Sequence, residues 1–481
     1  MTENVAQLLT SRAVERPDLV LGTHDDPIRL ADAIRCAAGR ASALLRLTEA
    51  GRLVAMVGET STDYLITWMA CVLAGTPVAL INPTYPVGLL SEMIEDFRPT
   101  VLLSSPELAP EIGWTGPVMS IEGARNGKGG VEVQPGLASD PLATVSFMHT
   151  SGTTGRPKFC AQSHAYFLRL GADVAAAMSL TAQDRVFAPL PMFHINPLGY
   201  GLFGALTAGA DVLAVRKFSA SMFWQIVSEE RITALVLHAP PVAILNRRDA
   251  SESEVPKRVR TMFYADATFM RRFGIPHAVS GYGSTEAGGL SHLKEWRADD
   301  DIPEDASRHG GPPRKNIQWR LDGVGQILVR ATRPGVLFDG YLQDGQLSAP
   351  FDDNGWFPTG DFGRRDEDGN LVFVERASES IRVKGEFVPI HFVEDHIGRV
   401  HGIDDLALWK RPGTLVDDEV VLYVVTDSIP LAALRQASAE LPAFMRPRAV
   451  IRTARLPRDA AAGKVQRRLL GEQPILEEVP L

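Results

Sequence analysis

Between residues 29 and 241, apolar runs of strand length alternate with stretches of helical periodicity, and this alternation limits the possible folds more than any other feature of the chain. A helical stretch at 29–47 precedes 53-LVAMVG-58, and a second at 62–75 precedes 77-PVALIN-82. After the strand 142-LATVSFMH-149 the alternation returns in 185-RVFAPLP-191, 198-LGYGLFGALTAG-209, 211-DVLAV-215, 221-SMFWQIVSEE-230 and 233-TALVLHAPP-241. Helix and strand in alternation imply parallel sheet with crossover helices, and two such halves in one large body are the economical reading. Residues 124–140 read as an irregular connection. From about 309 to 374 the texture changes to short strands separated by Gly and Asp turns, and from about 378 to a smaller mixed unit with strand 419-EVVLYVVT-426 and helix 430-PLAALRQASAEL-441.

Bulk properties exclude several classes. The 49 Lys and Arg against 58 Asp and Glu give a net charge of -9, which argues against a nucleic-acid or anionic-membrane surface. The run 68-WMACVLAGTPVALI-81 is too short to span a bilayer and is broken by Gly75 and Pro77. Cys36, Cys71 and Cys160 are odd in number and unclustered, so neither a disulfide framework nor a zinc site is indicated. The N-terminus lacks a basic region followed by an apolar one. A soluble, cytoplasmic protein is expected.

The stretch 149-HTSGTTGRPKFCAQSH-164 is too polar and glycine-rich for core. It follows a strand, and 163–178 is expected to leave it as a helix with Ser163 as N-cap. Backbone amides, the hydroxyls of Thr150, Ser151, Thr153 and Thr154, the close approach allowed by Gly152 and Gly155, and the charges of Arg156 and Lys158 together suit phosphate. It is not a Walker A loop, because Pro157 intervenes and no Gly-Lys-Ser/Thr follows. Nor is 281-GYGSTE-286 a dinucleotide fingerprint, since Glu286 stands in the third glycine's place.

The run 150-TSGTTGRPK-158 closely resembles the phosphate loop of the adenylate-forming superfamily, which includes acyl-CoA synthetases, luciferases and the adenylation domains of peptide synthetases. Further motifs stand in the family's order: 281-GYGSTE-286, 356-WFPTGDFGRRDEDGNLVFVER-376 with 378-SESIRVKGEFVP-389, and 456-LPRDAAAGKVQRRLL-470. The nearest likeness is to acyl- and aryl-CoA ligases, carried by 189-PLPMFHINPLG-199 and 217–230. The resemblance implies an α/β fold: a large N-terminal domain, 1–376, of two doubly wound αβ subdomains plus a small distorted β-barrel, then a small mobile α+β domain, 377–481.

It also implies roles. Thr150, Ser151, Gly152, Thr153, Thr154, Gly155 and Lys158 would grip the β- and γ-phosphates of ATP. Tyr282 would lie against adenine, Thr285 at the α-phosphate, and Glu286 on Mg2+. Asp361 would accept the ribose hydroxyls and Arg376 would contact ribose or phosphate. Lys464 would bridge the substrate carboxylate and the α-phosphate, and Gly385 would pass close to the pantetheine arm of CoA after domain rotation. His194, His238 and Gly281 are assigned to the acid pocket. Alone, each histidine could equally be a hydrogen-bonded structural one, and Gly385 a turn glycine.

The chain departs from the family at Phe159, where glycine is usual, at the hinge position Ser378, and in 262-MFYADATFMRRFG-274, which looks shortened where the family is normally rich in glycine. Residues 189–206 offer no Asp for an α-ammonium group, which disfavours an α-amino acid. The expected activity is ATP- and Mg2+-dependent adenylation of a carboxylic acid, with transfer to CoA or a carrier thiol. An alternative is a diazotase that adenylates nitrite and transfers it to an aryl amine. A non-catalytic nucleotide sensor is a remoter one, since Lys464 and Glu286 are both present.

Overall fold

The computed structural model describes the chain apart from residues 1–3, 86, 127–139, 151–157, 248–256, 344, 377–380, 384–385, 389, 413–417, 442, 444 and 460–462, and apart from the side chains of 376, 382, 386, 387, 391, 392 and 412. The chain forms two compact units, one of residues 1–322, 328–359 and 365–372, the other of 323–327, 360–364 and 373–481.

The larger unit contains two eight-stranded sheets. One has the order Gln346–Ser348, Gly340–Gln343, Lys158–Ser163, Thr144–Thr150, Val78–Ile81, Val54–Val57, Val101–Ser104, Val118–Ser120. Its last four strands and Thr144–Thr150 are parallel, and the other three run antiparallel to their neighbours at one edge. The second has the order His292–Arg297, His277–Tyr282, Thr261–Phe263, Ala234–Val236, Arg185–Ala188, Asp211–Ala214, Val20–Thr23, Asp26–Arg29, with antiparallel strands only at its two edges.

Local chemistry sets the element ends. Helix Thr62–Ala74 starts where the Ser61 hydroxyl accepts from the Tyr64 amide, and stops at Gly75, whose φ of 64° suits a residue without Cβ. It is apolar all round because it is covered on every side. The core that contains it joins Val54, Met56, Val78 and Leu80 of one sheet to Val186, Ala188, Val212 and Ala214 of the other, across helices Leu30–Leu44, Thr62–Ala74, His164–Ala177 and Phe203–Ala208. Trp68 sits at its centre, edge-on to Phe203, with its indole N–H donating to the Ser146 hydroxyl at 3.1 Å. Alternate residues of the same strands face two outer cores: Ala55, Val57, Ala79 and Ile81 pack with Phe97, and Phe187, Leu213 and Leu235 pack with Trp224 and Phe269. Continuous apolar strands covered on both faces are what a parallel sheet requires.

Two expected elements differ in detail. Residues 233–241 are a strand only over Ala234–Val236, and a helix begins at Ala239. Residues 198–209 are helical, but the first part, Asn196–Leu202, is a π-helix that passes into the α-helix Phe203–Ala208. Most of the 124–140 connection lies outside the described residues.

In the smaller unit, strands Asp405–Pro412, Asp418–Val425, Ala449–Arg452 and Glu477–Pro480 form one sheet in that order. Helices Ile390–Ile397 and Leu431–Ala439 contribute Val393, Ile397 and Leu434 to its core. Among the described residues no helix is long and apolar enough to cross a membrane.

Candidate active site

Strand Thr144–Thr150 leads to the expected loop, but the exit from the loop corrects the sequence reading. Lys158–Ser163 is a second strand, antiparallel to the first, with Thr150 opposite Lys158, His149 opposite Phe159 and Met148 opposite Cys160. Helix His164–Ala177 begins only beyond that strand, capped as expected by the Ser163 hydroxyl. Among the described residues the segment is therefore flanked by two strands, and the helix begins one strand later than expected. Residues 151–157, and with them Ser151, Gly152, Thr153, Thr154 and Gly155, lie outside the described residues.

Strand alternation sorts the residues beyond the loop. Phe159 and Ala161 enter the core under the sheet, where the Phe159 ring packs 4.8 Å from that of Phe97. The bulk that replaces the usual glycine is therefore taken up by core. Lys158 and Cys160 take the opposite face, where Cys160 pairs with Tyr341 of the next strand. Burial raises the Cys160 thiol well above its ordinary pKa, and neighbouring Glu286 adds to the effect, so it stays a neutral thiol.

Residues 281–286 end strand His277–Tyr282 and enter the turn to the antiparallel strand His292–Arg297. The turn closes on Ser284, whose carbonyl accepts from the amides of Ala287 and Gly289 at 3.1 and 2.9 Å. Gly283 is demanded by packing, because a Cβ there would lie 2.3 Å from the Gly289 carbonyl oxygen. Three tyrosines from separate elements then hold the turn. Tyr166 donates to the Thr285 carbonyl at 2.9 Å, Tyr200 to the Gly289 carbonyl at 2.9 Å, and Tyr341 to Glu286 Oε1 at 3.1 Å. The Phe338 amide also donates to the Glu286 carbonyl at 3.2 Å. Lys158 Nζ stands 4.9 Å from the centroid of the Tyr341 ring. Lys158 and Glu286, which lie far apart in sequence, are thus brought to one phenol. The sequence singled out none of these tyrosines; Tyr166 and Tyr200 carry one signal, a lone phenol in an apolar string, which needs a polar partner when buried, and Tyr341, in 339-DGYLQDG-345, carries none.

Glu286 suits a cation that arrives with a triphosphate. Such an ion takes one or two protein carboxylates and fills its remaining positions with phosphate and water. Among the described residues no group of three or more His, Cys, Asp or Glu could hold a metal by itself.

Tyr282 is buried beside His292, with ring centroids 6.0 Å apart; burial pushes that imidazole down to about 3. Gly281 lies opposite Leu293, and a Cβ there would meet the His292 carbonyl oxygen at 2.9 Å, so packing against the partner strand accounts for this glycine. In the shortened segment, Tyr264 adopts φ 84°, a left-handed conformation that favours glycine. Its amide and that of Ala265 both donate to the Val279 carbonyl, at 2.9 and 3.2 Å.

His194 lies in the turn before the π-helix, its amide donating to the Pro191 carbonyl at 3.0 Å and its ring edge-on to Phe193 at 4.7 Å and to His149 at 6.1 Å. Single-turn π geometry is often found at functional sites. Asn196 Nδ2 donates to the Leu237 carbonyl at 3.1 Å, so the π-helix docks beside His238, which precedes helix Ala239–Arg247.

The remaining predicted residues stand in or at the smaller unit. Asp361 is buried on strand Phe357–Arg365, just after Gly360 at φ 74°. Arg376 ends strand Leu371–Arg376, and its side chain lies outside the described residues, as do Gly385 and Ser378. Lys464 has an exposed side chain on an anchored backbone: its carbonyl accepts from the Asp459 amide at 2.8 Å. Arg458 closes the same loop by donating to the Gly463 carbonyl and to both carboxylate oxygens of Asp405.

Comparison with known proteins agrees with this geometry. The AMP-binding enzyme family matches residues 32–338. An indoleacetate–CoA ligase of Aromatoleum aromaticum is 27% identical over 478 residues, covering 88% of this chain and 89% of that protein. A sulfoacetate–CoA ligase of Cupriavidus necator is 30% identical over 350 residues, covering 68% and 66%. Among solved structures, ATP-bound MatB from Rhodopseudomonas palustris superposes with a TM-score of 0.83 at 23% identity, covering 98% of this chain and 99% of the other. The o-succinylbenzoate CoA synthetase of Bacillus subtilis, in complex with its acyl-adenylate, gives a TM-score of 0.84 at 21% identity and the same coverage. The family match and the CoA-ligase relatives establish that this chain belongs to the AMP-binding enzyme family and is an ATP-dependent adenylate-forming ligase.

Proposed function

We propose that the enzyme activates a carboxylic acid as its acyl-adenylate, with Mg2+, and passes the acyl group to the thiol of CoA. The observation that carries this reading is the convergence of Lys158 and Glu286 on Tyr341, beside the two strands that begin and end the 151–157 loop. A cation and a carboxylate gathered at one place suit a triphosphate and the metal bound to it.

In the first step a carboxylate oxygen attacks the α-phosphorus, the bond to the bridging oxygen breaks, and pyrophosphate leaves. The protein's task is placement and charge neutralisation. Thr150, Lys158 and the 151–155 donors hold the β- and γ-phosphates. Tyr282 borders adenine, Thr285 meets the α-phosphate, Asp361 accepts from the ribose hydroxyls, Arg376 assists there, and Lys464 bridges carboxylate and phosphate. Glu286 would hold Mg2+, which when bound would supply positive charge to the phosphate oxygens. In the second step the thiol sulfur attacks the acyl carbonyl, AMP leaves, and the thiol proton is released. For this step the domain 377–481 rotates and Gly385 lines the pantetheine path.

His194, His238 and the residues around Gly281 border the acid. With no Asp in 189–206, the substrate is an acid without an α-ammonium group. Relatives named for indoleacetate, 4-coumarate, sulfoacetate and long-chain fatty acids span aryl and aliphatic acids, so both belong in the substrate panel. ATP–pyrophosphate exchange with Mg2+ over aliphatic, aryl and amino-aryl acids tests the reading, with Lys464→Ala as control. Acid-dependent exchange lost in the variant, followed by a CoA thioester, is the expected result. Exchange with nitrite alone points instead to a diazotase, and ATP binding without exchange for any acid overturns the ligase mechanism.

A further inference from the structure

His149 is buried at the end of strand Thr144–Thr150, immediately before the loop and opposite Phe159. Its ring reaches in three directions. Nε2 lies 3.3 Å from the Asn82 amide, which can only donate, so Nε2 accepts and the proton of the neutral ring sits on Nδ1. Nδ1 is 3.2 Å from the Tyr85 hydroxyl and therefore donates to it. Asn82 and Tyr85 belong to the turn after strand Val78–Ile81, a turn closed by Asn82 Oδ1 accepting from the Thr84 amide and hydroxyl at 2.9 and 2.8 Å. The ring's third neighbour is the 191–194 segment, where it stacks on Phe193 at 6.2 Å and 28° and meets the edge of His194 at 6.1 Å. That segment is itself anchored by the Met192 amide donating to the Thr60 hydroxyl at 2.9 Å.

One imidazole therefore joins the ends of two parallel strands to the segment that borders the acid. No hydrocarbon ring can replace it. Phenylalanine would keep the stacking but leave the buried Asn82 amide without an acceptor, and an unpaired buried amide is costly. Burial, with His194 adding, pushes the imidazole down to about 3, in keeping with a ring that stays neutral and keeps one donor and one acceptor nitrogen.

We propose that His149 is a positioning residue that fixes the departure of the phosphate loop relative to the 191–194 wall, so that the ATP site and the acid site are set by the same side chain. The inference rests on the assignment of 150–158 to ATP and of 189–206 to the acid. A residue that only stabilised the fold would change the amount of folded enzyme and leave its kinetic constants alone.

The test is ATP–pyrophosphate exchange by wild type, His149→Phe, Tyr85→Phe and the double variant, using an acid that supports exchange and enzyme concentrations corrected for the folded fraction by thermal melting. His149→Phe should raise both KM for ATP and KM for the acid and lower kcat/KM about tenfold, the order expected when a buried hydrogen-bond partner is lost. Tyr85→Phe should move both constants in the same direction by a smaller factor, and the double variant should be no worse than His149→Phe, because the shared bond can be lost only once. Unchanged constants, a change in one KM without the other, or fully additive losses would each overturn the proposal. If His149→Phe does not fold, Tyr85→Phe decides: a rise in both constants supports the proposal and no rise overturns it. A wild-type enzyme without exchange for any acid removes the functional assignment and this inference with it. Active wild type with unaltered variants removes the inference alone.

Discussion

Tyr341→Phe isolates a single hydroxyl. The substitution keeps the ring beneath Lys158 Nζ and deletes the donor that holds Glu286 Oε1 at 3.1 Å. A hydrogen bond to a charged acceptor contributes about 1.5–3 kcal/mol when buried. Both residues are half-buried, so solvent can replace part of the bond, and about 1–2 kcal/mol is the appropriate range, or roughly 5- to 30-fold at 1.4 kcal/mol per decade. The loss should be selective. If Glu286 binds the cation that travels with ATP, the Mg2+ concentration for half-maximal exchange should rise and kcat/KM for ATP should fall, while KM for the acid changes less. A second readout is Mn2+ binding in the presence of ATP, followed by the spectrum of free Mn2+, which should weaken by a similar factor. Tyr341→Leu, which removes the ring as well, should do worse in both. A Tyr341→Phe enzyme with wild-type metal dependence and wild-type kcat/KM for ATP would refute the reasoning.

Lys464→Ala should cut exchange by at least about 100-fold, as expected for loss of a charge acting in the transition state. Because the side chain is exposed, the thermal midpoint should stay close to that of wild type. Of the three free cysteines only Cys36 is partly exposed, so a disulfide-exchange reagent should label Cys36 in the folded protein and reach Cys71 and Cys160 only on unfolding. Burial holds His149 and His292 down to about 3 and His164 down to about 4. Their contribution is present above the unfolded histidine value and is lost as pH falls below about 6.5, by up to about 1.4 kcal/mol per pH unit for each ring. Denaturant unfolding at pH 7 and 5 should show that loss, and equal stability at both would refute it. Asp339 has the opposite sign: burial raises its carboxyl to about 7, so stability is lost as pH rises through that value. The loss begins near the unfolded value of about 4 and is complete above about 7, so Asp339→Asn should stabilise the protein more at pH 8 than at pH 5.

The layers of the large unit were legible because both relevant periods are strong in the sequence. Apolar runs such as 54–57 and 78–81 can only be strands covered on both faces, and Ser61 and Gly75 mark the ends of the helix between them. The strand after residues 151–157 was missed because Ser163 correctly signalled a helix start, and nothing in 158–163 separates a short strand from a loop arm until its neighbours are known. Gln162 and Ser163 are polar yet buried, so the alternation that betrays a half-buried strand is blurred. Lys158 and Glu286, which the fold brings to one phenol, were singled out through their motifs. The groups that hold them were not, because Tyr166, Tyr200, Tyr341 and His149 act on partners 119, 89, 55 and 67 positions away. Pairings at that range are set by the tertiary fold.

The use of phenols in those positions has a physical reason. A carboxylate that is to share a cation with a triphosphate has to be held in place while keeping its negative charge available. An arginine or lysine in direct contact would hold Glu286 more tightly, but it would also compete with the metal for the same oxygens. The Tyr341 hydroxyl orients one oxygen and brings no positive charge. Lys158, the nearby cation, stands over the face of the ring rather than against the carboxylate, so on the proposed reading its charge is left for phosphate. Tyr166 and Tyr200 bind backbone carbonyls of the same turn, so they fix its path without altering the charge of any side chain in it. Replacing Tyr341 by lysine would then be more harmful to metal dependence than replacing it by phenylalanine, although lysine retains a donor. The order of severity, lysine above phenylalanine, separates this electrostatic account from one in which any hydrogen bond to Glu286 would serve.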